Sequence, residues 1–257
     1  RIATLSSVPM ARRKSLAFLD VGQGDCFVAD TKSGAIIFDG GSSSEDQVGR
    51  YRILPYMKYL GYQKIQIAVI SHMDIDHYSG IKELLEMGKI KYLGLPEIPK
   101  DETMKKIIGI AKKRGTTIFY LSRGRQIATK DGSLKVLHPQ KNSQMEKNAA
   151  SLVMQGKILG YRVLLTGDVE KEGEEELLSE ELERADILKA AHHGSKNSTS
   201  NEFLQKVQPK QTVISCGKQN RYGHPHLETI HRLQTYHTKI YRTDRSGAII
   251  FFQRRDG

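Results

Sequence analysis

The chain has 257 residues, 38% hydrophobic and 27% charged, which is enough apolar material for a buried core and excludes wholesale disorder. No apolar run approaches the roughly 18 residues needed to span a bilayer, and no stretch has the pattern of a secretory h-region. Lys and Arg number 40 against 29 Asp and Glu, a formal charge of +11. Residues 170–184 hold eight Glu and two basic residues, a local −6, which leaves +17 for the rest and suits a polyanionic partner.

Short apolar strands alternate with amphipathic helical stretches. Residues 16–21 read as a buried strand, with 26–29 and 35–38 as its hairpin partners. Pro55 opens a helix over 54–60, and Gly61 closes it. Residues 67–70 form another buried strand, 79–87 a helix, 102–114 a basic helix and 117–121 a strand. The segment 123–131 is the seam between an N-terminal half, about 15–122, and a C-terminal half, about 132–257. Strands follow at 133–137, 150–155 and 162–166, then an acidic helix at 171–183. A strand at 187–190, a helix at 201–207, a strand at 212–216 and a helix at 226–236 come next, and strands at 239–242 and 247–253 close the chain. Many buried strands with helices outside predict an α/β layered sandwich. Cys26 and Cys216 are far apart and imply neither a metal spacing nor a disulfide framework. The chain opens on Arg1, and the expectation is a piece of a longer protein.

Three segments share one grammar, in which an apolar strand ends abruptly in metal-ligand residues. Strand 67–70 runs into Ser71-His72-Met73-Asp74-Ile75-Asp76-His77, two His and two Asp in six residues. Strand 162–166 runs into Gly167-Asp168, and strand 187–190 into Ala191-His192-His193-Gly194-Ser195. Imidazole nitrogen and carboxylate oxygen are natural ligands of a hydrolytic metal ion. In an extended loop His72, Asp74 and Asp76 point one way, and a turn at Asp76-His77 aims the later pair at a second ion about 3.5–4 Å from the first. A lone carboxylate is what could bridge two ions, the other reading of Asp168 being a turn or N-cap residue. Adjacent histidines cannot both point the same way along a strand, so His192, at the strand end, is favoured as the ligand and His193 as the neighbour facing substrate or structure.

These segments resemble the metallo-β-lactamase superfamily, whose loop HxHxDH is followed by an isolated His, a bridging Asp and a final His. Together with Phe18-Leu19-Asp20-Val21-Gly22-Gln23-Gly24-Asp25, Phe38-Asp39-Gly40-Gly41, Leu165-Thr166-Gly167-Asp168 and Tyr222-Gly223-His224-Pro225-His226, the set is similar to the C-terminal metallo-hydrolase domain of ComEC-type DNA-internalisation competence proteins. The resemblance runs from about residue 15 to 252. It implies a four-layer αβ/βα sandwich with a dimetal site at the top of two sheets, attached to the membrane channel of a multi-pass parent at the extracellular face of the cell membrane. It implies degradation of one strand of incoming DNA, so the expected partner is DNA, single-stranded, met by a monomeric domain.

One departure from the pattern stands out. The family's isolated His has no counterpart; Asn148 is the nearest candidate donor, and His138 falls too early. The expected ligand set is His72, Asp74 and Asp168 for one ion and Asp76, His77, Asp168 and His192 for the other. So oxygen-rich a site favours two Mn²⁺, with Zn²⁺ or Mg²⁺ as rivals. Asp168 or Asp76 orients the attacking water, and His224, His193 and Lys196 are candidates for a charge-stabilising cation or leaving-group acid. Lys196, Ser195, Lys218 and Arg221 are the candidate phosphate contacts, with Lys105, Lys106, Lys112, Lys113 and Arg114 on the basic helix as more distant ones. Gln23, Asp25 and Asp39 either support the ligands from behind or form turns. The rival readings are a stand-alone hydrolase of a small phosphodiester or ester, and a catalytically inactive DNA-binding module.

Overall fold

A computed structural model describes residues 13–145 and 148–254. In the first half, strands β1 (Ser15–Phe18), β2 (Phe27–Thr31), β3 (Gly34–Phe38), β4 (Ile65–Val69), β5 (Ile90–Pro96) and β6 (Thr117–Leu121) alternate with helices α1 (Leu54–Tyr59), α2 (Ile75–Glu86) and α3 (Glu102–Lys113). The second half runs β7 (Gln126–Thr129), β8 (Gly132–His138), β9 (Val153–Ile158), β10 (Tyr161–Leu165), α4 (Lys171–Leu178), β11 (Ile187–Lys189), α5 (Asn201–Val207), β12 (Gln211–Ile214), α6 (Leu227–Thr235), β13 (Lys239–Arg242), α7 (Thr243–Ser246) and β14 (Ile249–Phe252). Among the described residues these strands make two seven-stranded sheets, ordered β14-β1-β2-β3-β4-β5-β6 and β13-β12-β11-β10-β9-β8-β7. The last strand crosses back to pair with β1, Ser15 opposite Phe252.

Each sheet is half antiparallel and half parallel. Strands β3 to β6 run parallel in the first, and β10 to β13 in the second. Successive strand residues face opposite sides of a sheet, and here both sides are apolar. On β3, Ile36 and Phe38 enter the layer between the sheets while Ile37 faces helices α1–α3. On β10, Val163 and Leu165 enter that layer while Leu164 meets α4, α5 and α6 through Leu177, Phe203, Leu204 and Leu233. Three apolar layers separate four layers of secondary structure, the α/β αβ/βα sandwich that the resemblance implied. Continuous apolar runs such as Val163–Leu165 are what strands covered on both faces require.

The boundaries differ from the sequence expectations in instructive places. Helix α2 opens at Ile75 rather than residue 79, so Asp76 and His77 lie in its first turn and not in an extended loop. A carboxylate in a first turn is favoured by the helix dipole. Strand β5 escapes the periodicity because Lys91 and Gly94 interrupt it; its place is set by β4 and β6 on either side. Strand β7 lies inside the 123–131 seam. The acidic helix stops at Leu178, short of residue 183. Asp101 caps α3 by accepting from the Met104 amide at 2.7 Å, and Ser200 caps α5 by accepting from Phe203 at 3.2 Å.

Candidate metal centre

The parallel strands β3, β4, β10, β11 and β12 deliver their C-terminal ends to one edge of the sandwich, where ligands gather in open α/β sheets. Two glycine-rich loops clamp the start of α2 there. The Asp25 amide donates to the Asp76 carbonyl at 3.0 Å, and the Gly40 amide to the His77 carbonyl at 2.8 Å. A Cβ on Gly41 would sit 2.6 Å from the His77 amide nitrogen, and one on Gly24 would sit 2.7 Å from the Asp76 carbonyl oxygen. Only glycine allows this approach, which fixes where Asp76 and His77 stand.

Three imidazoles converge on Asp168. The Asp168 Oδ2 oxygen lies 3.1 Å from His77 Nε2, 3.4 Å from His193 Nε2 and 3.7 Å from His192 Nε2. The His72 and His77 rings lie 4.1 Å apart. The hydrogen-bond pattern assigns the protons. His77 Nδ1 donates to Asp39 Oδ2 at 2.9 Å, and His193 Nδ1 to the Ser215 carbonyl at 3.0 Å. The Ser71 hydroxyl donates to Asp39 at 2.7 Å, so it accepts from His72 Nδ1 at 3.0 Å. When neutral, each ring presents a bare Nε2, and all three Nε2 atoms are buried without a hydrogen-bond partner of good geometry. Fixing Nδ1 to free Nε2 is how proteins orient metal-binding histidine. His72, His77 and Asp168 place donor atoms within 4.8 Å of one another, as do Asp76, His77 and His193, and Asp25, Asp168 and His193. This donor set of imidazole and carboxylate fits divalent metal ions.

Histidine and carboxylate shift one another's protonation across the site. Burial opposes charge on His77, but Asp168 and Asp39 outweigh it and raise its pKa well above the ordinary value. His193 is raised in the same way, burial being overcome by Asp168 and Asp25. Burial would raise Asp168, yet His193 and His77 hold it well below the usual range. Burial and then the charge on His77 push His72 down to about 3.

The adjacent histidines do not alternate as a strand would require. The chain leaves β11 at Lys189, and both residues adopt left-handed backbone, φ 47° at His192 and 53° at His193. Non-glycine residues occupy this region rarely and at a cost of about 1–3 kcal/mol each. The turn sends both rings toward Asp168, His193 Nε2 to 3.4 Å and His192 Nε2 to 3.7 Å. His193 is the buried one, 3.4 Å from Asp76 as well. His192 is partly exposed and donates through Nδ1 to Glu170 at 2.8 Å.

A cavity of about 240 Å³ opens over this cluster, lined by Asp74, Asp76, Asp168, His192, His193 and His224 together with Gln23, Ile75 and Tyr222. Asp74 sits at its rim, 3.7 Å from His72 Nε2. The His224 ring lies 5.4 Å from that of His192. Burial and then the charge on His193 push His224 down to about 4, so at neutral pH it is an uncharged ring and not a cation. Asn148 does not line the cavity; its carbonyl accepts from the Ser151 amide at 3.0 Å. His138 is buried elsewhere, bonded to the Ala149 carbonyl and Glu176. Ser195 is buried, and its hydroxyl accepts from the Asn197 amide at 3.3 Å. Lys196, Lys218 and Arg221 are exposed on the loops after β11 and β12. The basic residues of α3 do not line the cavity.

Lys189 is the residue that sequence reasoning passed over. It is buried on β11, paired with Asp25, donating to the Gly167 carbonyl at 3.1 Å and 3.7 Å from Asp168 Oδ1. It therefore covers the oxygen of Asp168 opposite the imidazoles. The signal was a cation in an otherwise apolar strand, Ile187-Leu188-Lys189-Ala190. A larger cleft of about 660 Å³ runs between α4 and α5, lined by Glu170, Glu174, Glu175 and Glu202 together with Lys171, Lys196 and Arg232, a mixed surface with none of the convergent imidazoles.

The model of the metallo-beta-lactamase superfamily matches residues 19–218. "ComE operon protein 3" of Bacillus subtilis is 37% identical over 250 residues, 90% of this chain and 32% of that protein. "Competence protein ComA" of Neisseria gonorrhoeae is 30% identical over 249 residues, 93% of this chain and 32% of that protein. The chain thus spans about a third of the length of these curated relatives. The crystal structure of the metallo-beta-lactamase fold protein YhfI from Bacillus subtilis superposes with a TM-score of 0.61 at 13% identity, over 92% of this chain and 99% of that one, a likeness of fold.

Proposed function

The chain belongs to the metallo-β-lactamase superfamily, and on that footing we propose that it is a metal-dependent phosphodiesterase degrading DNA, the strand that is not transported, during uptake for natural transformation. The observation that carries the reading is the convergence of the Nε2 atoms of His72, His77 and His193 on Asp168 beneath a cavity of about 240 Å³. The competence names of the relatives and the basic body of the chain support the substrate. No helix among the described residues is long and apolar enough to cross a membrane, so the proposed seat at the extracellular face rests on a membrane channel elsewhere in a parent chain.

Two divalent ions held by His72, Asp74, Asp76, His77, Asp168 and His193 would supply charge neutralisation for the phosphate and a water acidic enough to attack at neutral pH. Mn²⁺ is favoured over Zn²⁺ because carboxylates equal imidazoles in this set. Asp76 and Asp168 hold the nucleophile in line. Lys189 and Asp25 hold Asp168 from behind. Neutral His224 donates a hydrogen bond at the rim, to the departing oxygen or the phosphate. Lys196, Lys218 and Arg221 attract the backbone without sequence preference, and their contribution fades as salt rises.

The test is labelled single-stranded DNA incubated with chelated chain, with Mn²⁺, Mg²⁺ or Zn²⁺ restored separately, beside Asp168→Asn and His77→Ala. Cleavage that returns with metal and is abolished in both variants is the expected result. No cleavage with any metal, despite a folded chain, refutes the nuclease; turnover of a chromogenic diester would then point to a small-ester hydrolase, and metal-independent DNA binding alone to an inactive module.

A further inference from the structure

The cavity that holds the polar cluster carries two large exposed apolar side chains at its mouth. Tyr222 is 42% exposed and Ile75 is 54% exposed, and both line the cavity. A phosphate needs neither. Tyr222 is also built in, not merely displayed. Its ring stacks on His224 at 5.6 Å with 22° between the planes. The Arg221 guanidinium lies 4.9 Å from the ring centre and donates to the Tyr222 hydroxyl at 2.7 Å.

The loop beneath is clamped by one side chain. Asn220 Oδ1 accepts from the Tyr222 amide at 3.2 Å and the His224 amide at 2.9 Å, while its Nδ2 donates to the Gly217 carbonyl at 3.0 Å and the His224 carbonyl at 2.6 Å. Gly223, at φ 70°, supplies the left-handed step that lets the chain double back between Tyr222 and His224. An aromatic ring on a fixed loop, with a cation beside it, has little conformational freedom left to lose on binding.

The geometry points to a nucleobase subsite: the Tyr222 ring, with Arg221 and Ile75 around it, receives the face of an unpaired base from the nucleotide adjoining the scissile phosphate. This deepens the nuclease reading and rests on it. Every base has a π-face, so stacking is tolerant of sequence. A base inside a duplex has both faces covered by its neighbours, so only an unpaired strand offers one to Tyr222. Selection of single strands then comes from the rim, and the phosphate chemistry below it stays indifferent to the base.

The experiment compares binding of two labelled oligonucleotides of equal length by fluorescence anisotropy, an oligothymidylate and one made of abasic deoxyribose phosphates. It is run in chelator with the wild-type chain and with Tyr222→Ala, Tyr222→Phe and Arg221→Gln. Wild type and Tyr222→Phe are expected to prefer the base-bearing strand by about tenfold. Tyr222→Ala is expected to lose that preference while binding the abasic strand as wild type does, and Arg221→Gln to weaken both strands together. The inference is overturned if wild type binds the two alike or binds neither, or if Tyr222→Ala leaves the preference intact. If the base preference stands but no metal restores cleavage, the nuclease reading falls and the subsite survives as a binding site.

Discussion

Lys189 occupies a position that buried strands seldom give to a cation, and its partners explain why it is there. Asp25 is held at a pKa of about 2: burial opposes its charge, but Lys189 and then His193 more than compensate. The pair is a case where removing one partner strands the other in a medium that cannot solvate it. Lys189→Met, which keeps the volume, is expected to lose about 3–5 kcal/mol in urea unfolding. The double variant Lys189→Met/Asp25→Asn should recover most of that loss. A single variant within about 1 kcal/mol of wild type would show that the pair contributes nothing to the fold. Asp39 works by the same logic one layer out. It binds Ser71 through both oxygens and His77 through one, so a single carboxylate sets two of the imidazole orientations.

The first turn of α2 is the element on which the site depends. Asp76 and His77 reach the cluster only because the loops of Gly24 and Gly41 pass within contact distance of the helix backbone. Gly41→Ala is expected to cost about 1–3 kcal/mol by overpacking. It should also weaken Mn²⁺ binding in titration calorimetry, since the displaced atoms belong to the helix turn that carries the donors. Asp101→Ala, which removes a helix cap on α3, should cost a comparable 1 kcal/mol or so and leave metal affinity unchanged. Equal effects of the two variants on Mn²⁺ binding would mean that the glycine contacts matter to stability alone. The His192-His193 turn is the other demanding element. Two consecutive left-handed residues are tolerated because the Ser195 amide closes the turn onto the His192 carbonyl at 2.8 Å and the His192 amide donates to Gly167 at 3.2 Å.

The chain as a unit behaves as two half-parallel sheets whose shared edge stores charge. In the metal-free state His77 and His193 titrate above their unfolded value of about 6.5. Groups raised on folding stabilise the fold fully below that value, and the contribution is lost as pH rises through the folded pKa. The melting temperature of the chelated chain is therefore expected to fall as the pH rises from about 6.5 into the alkaline range. Metal binding needs the same rings neutral, so the increment in melting temperature on adding Mn²⁺ should grow over that interval. A chelated chain that gains stability with pH, or a metal increment that shrinks, would contradict the arrangement of protons described above. His72, already down at about 3, takes no part in this window.

The layered α/β sandwich was legible along the chain because each buried strand announces itself locally: Val163–Leu165 is apolar on both faces, and the ligand residues follow the strands at once. The resemblance to the superfamily rested on those same junctions, and His72, Asp76, His77 and Asp168 do meet. Which of His192 and His193 is buried could not be read there, because the answer lies in two left-handed backbone angles and not in strand alternation. Nor could the partnership of Lys189 with Asp25, since 164 residues separate them in the chain and only the packing of one sheet on the other brings them together. Local composition decides which strands form and which chemistry stands at their ends; side-chain direction at a turn, and charge pairing between distant segments, exist only once the sheets are closed against each other.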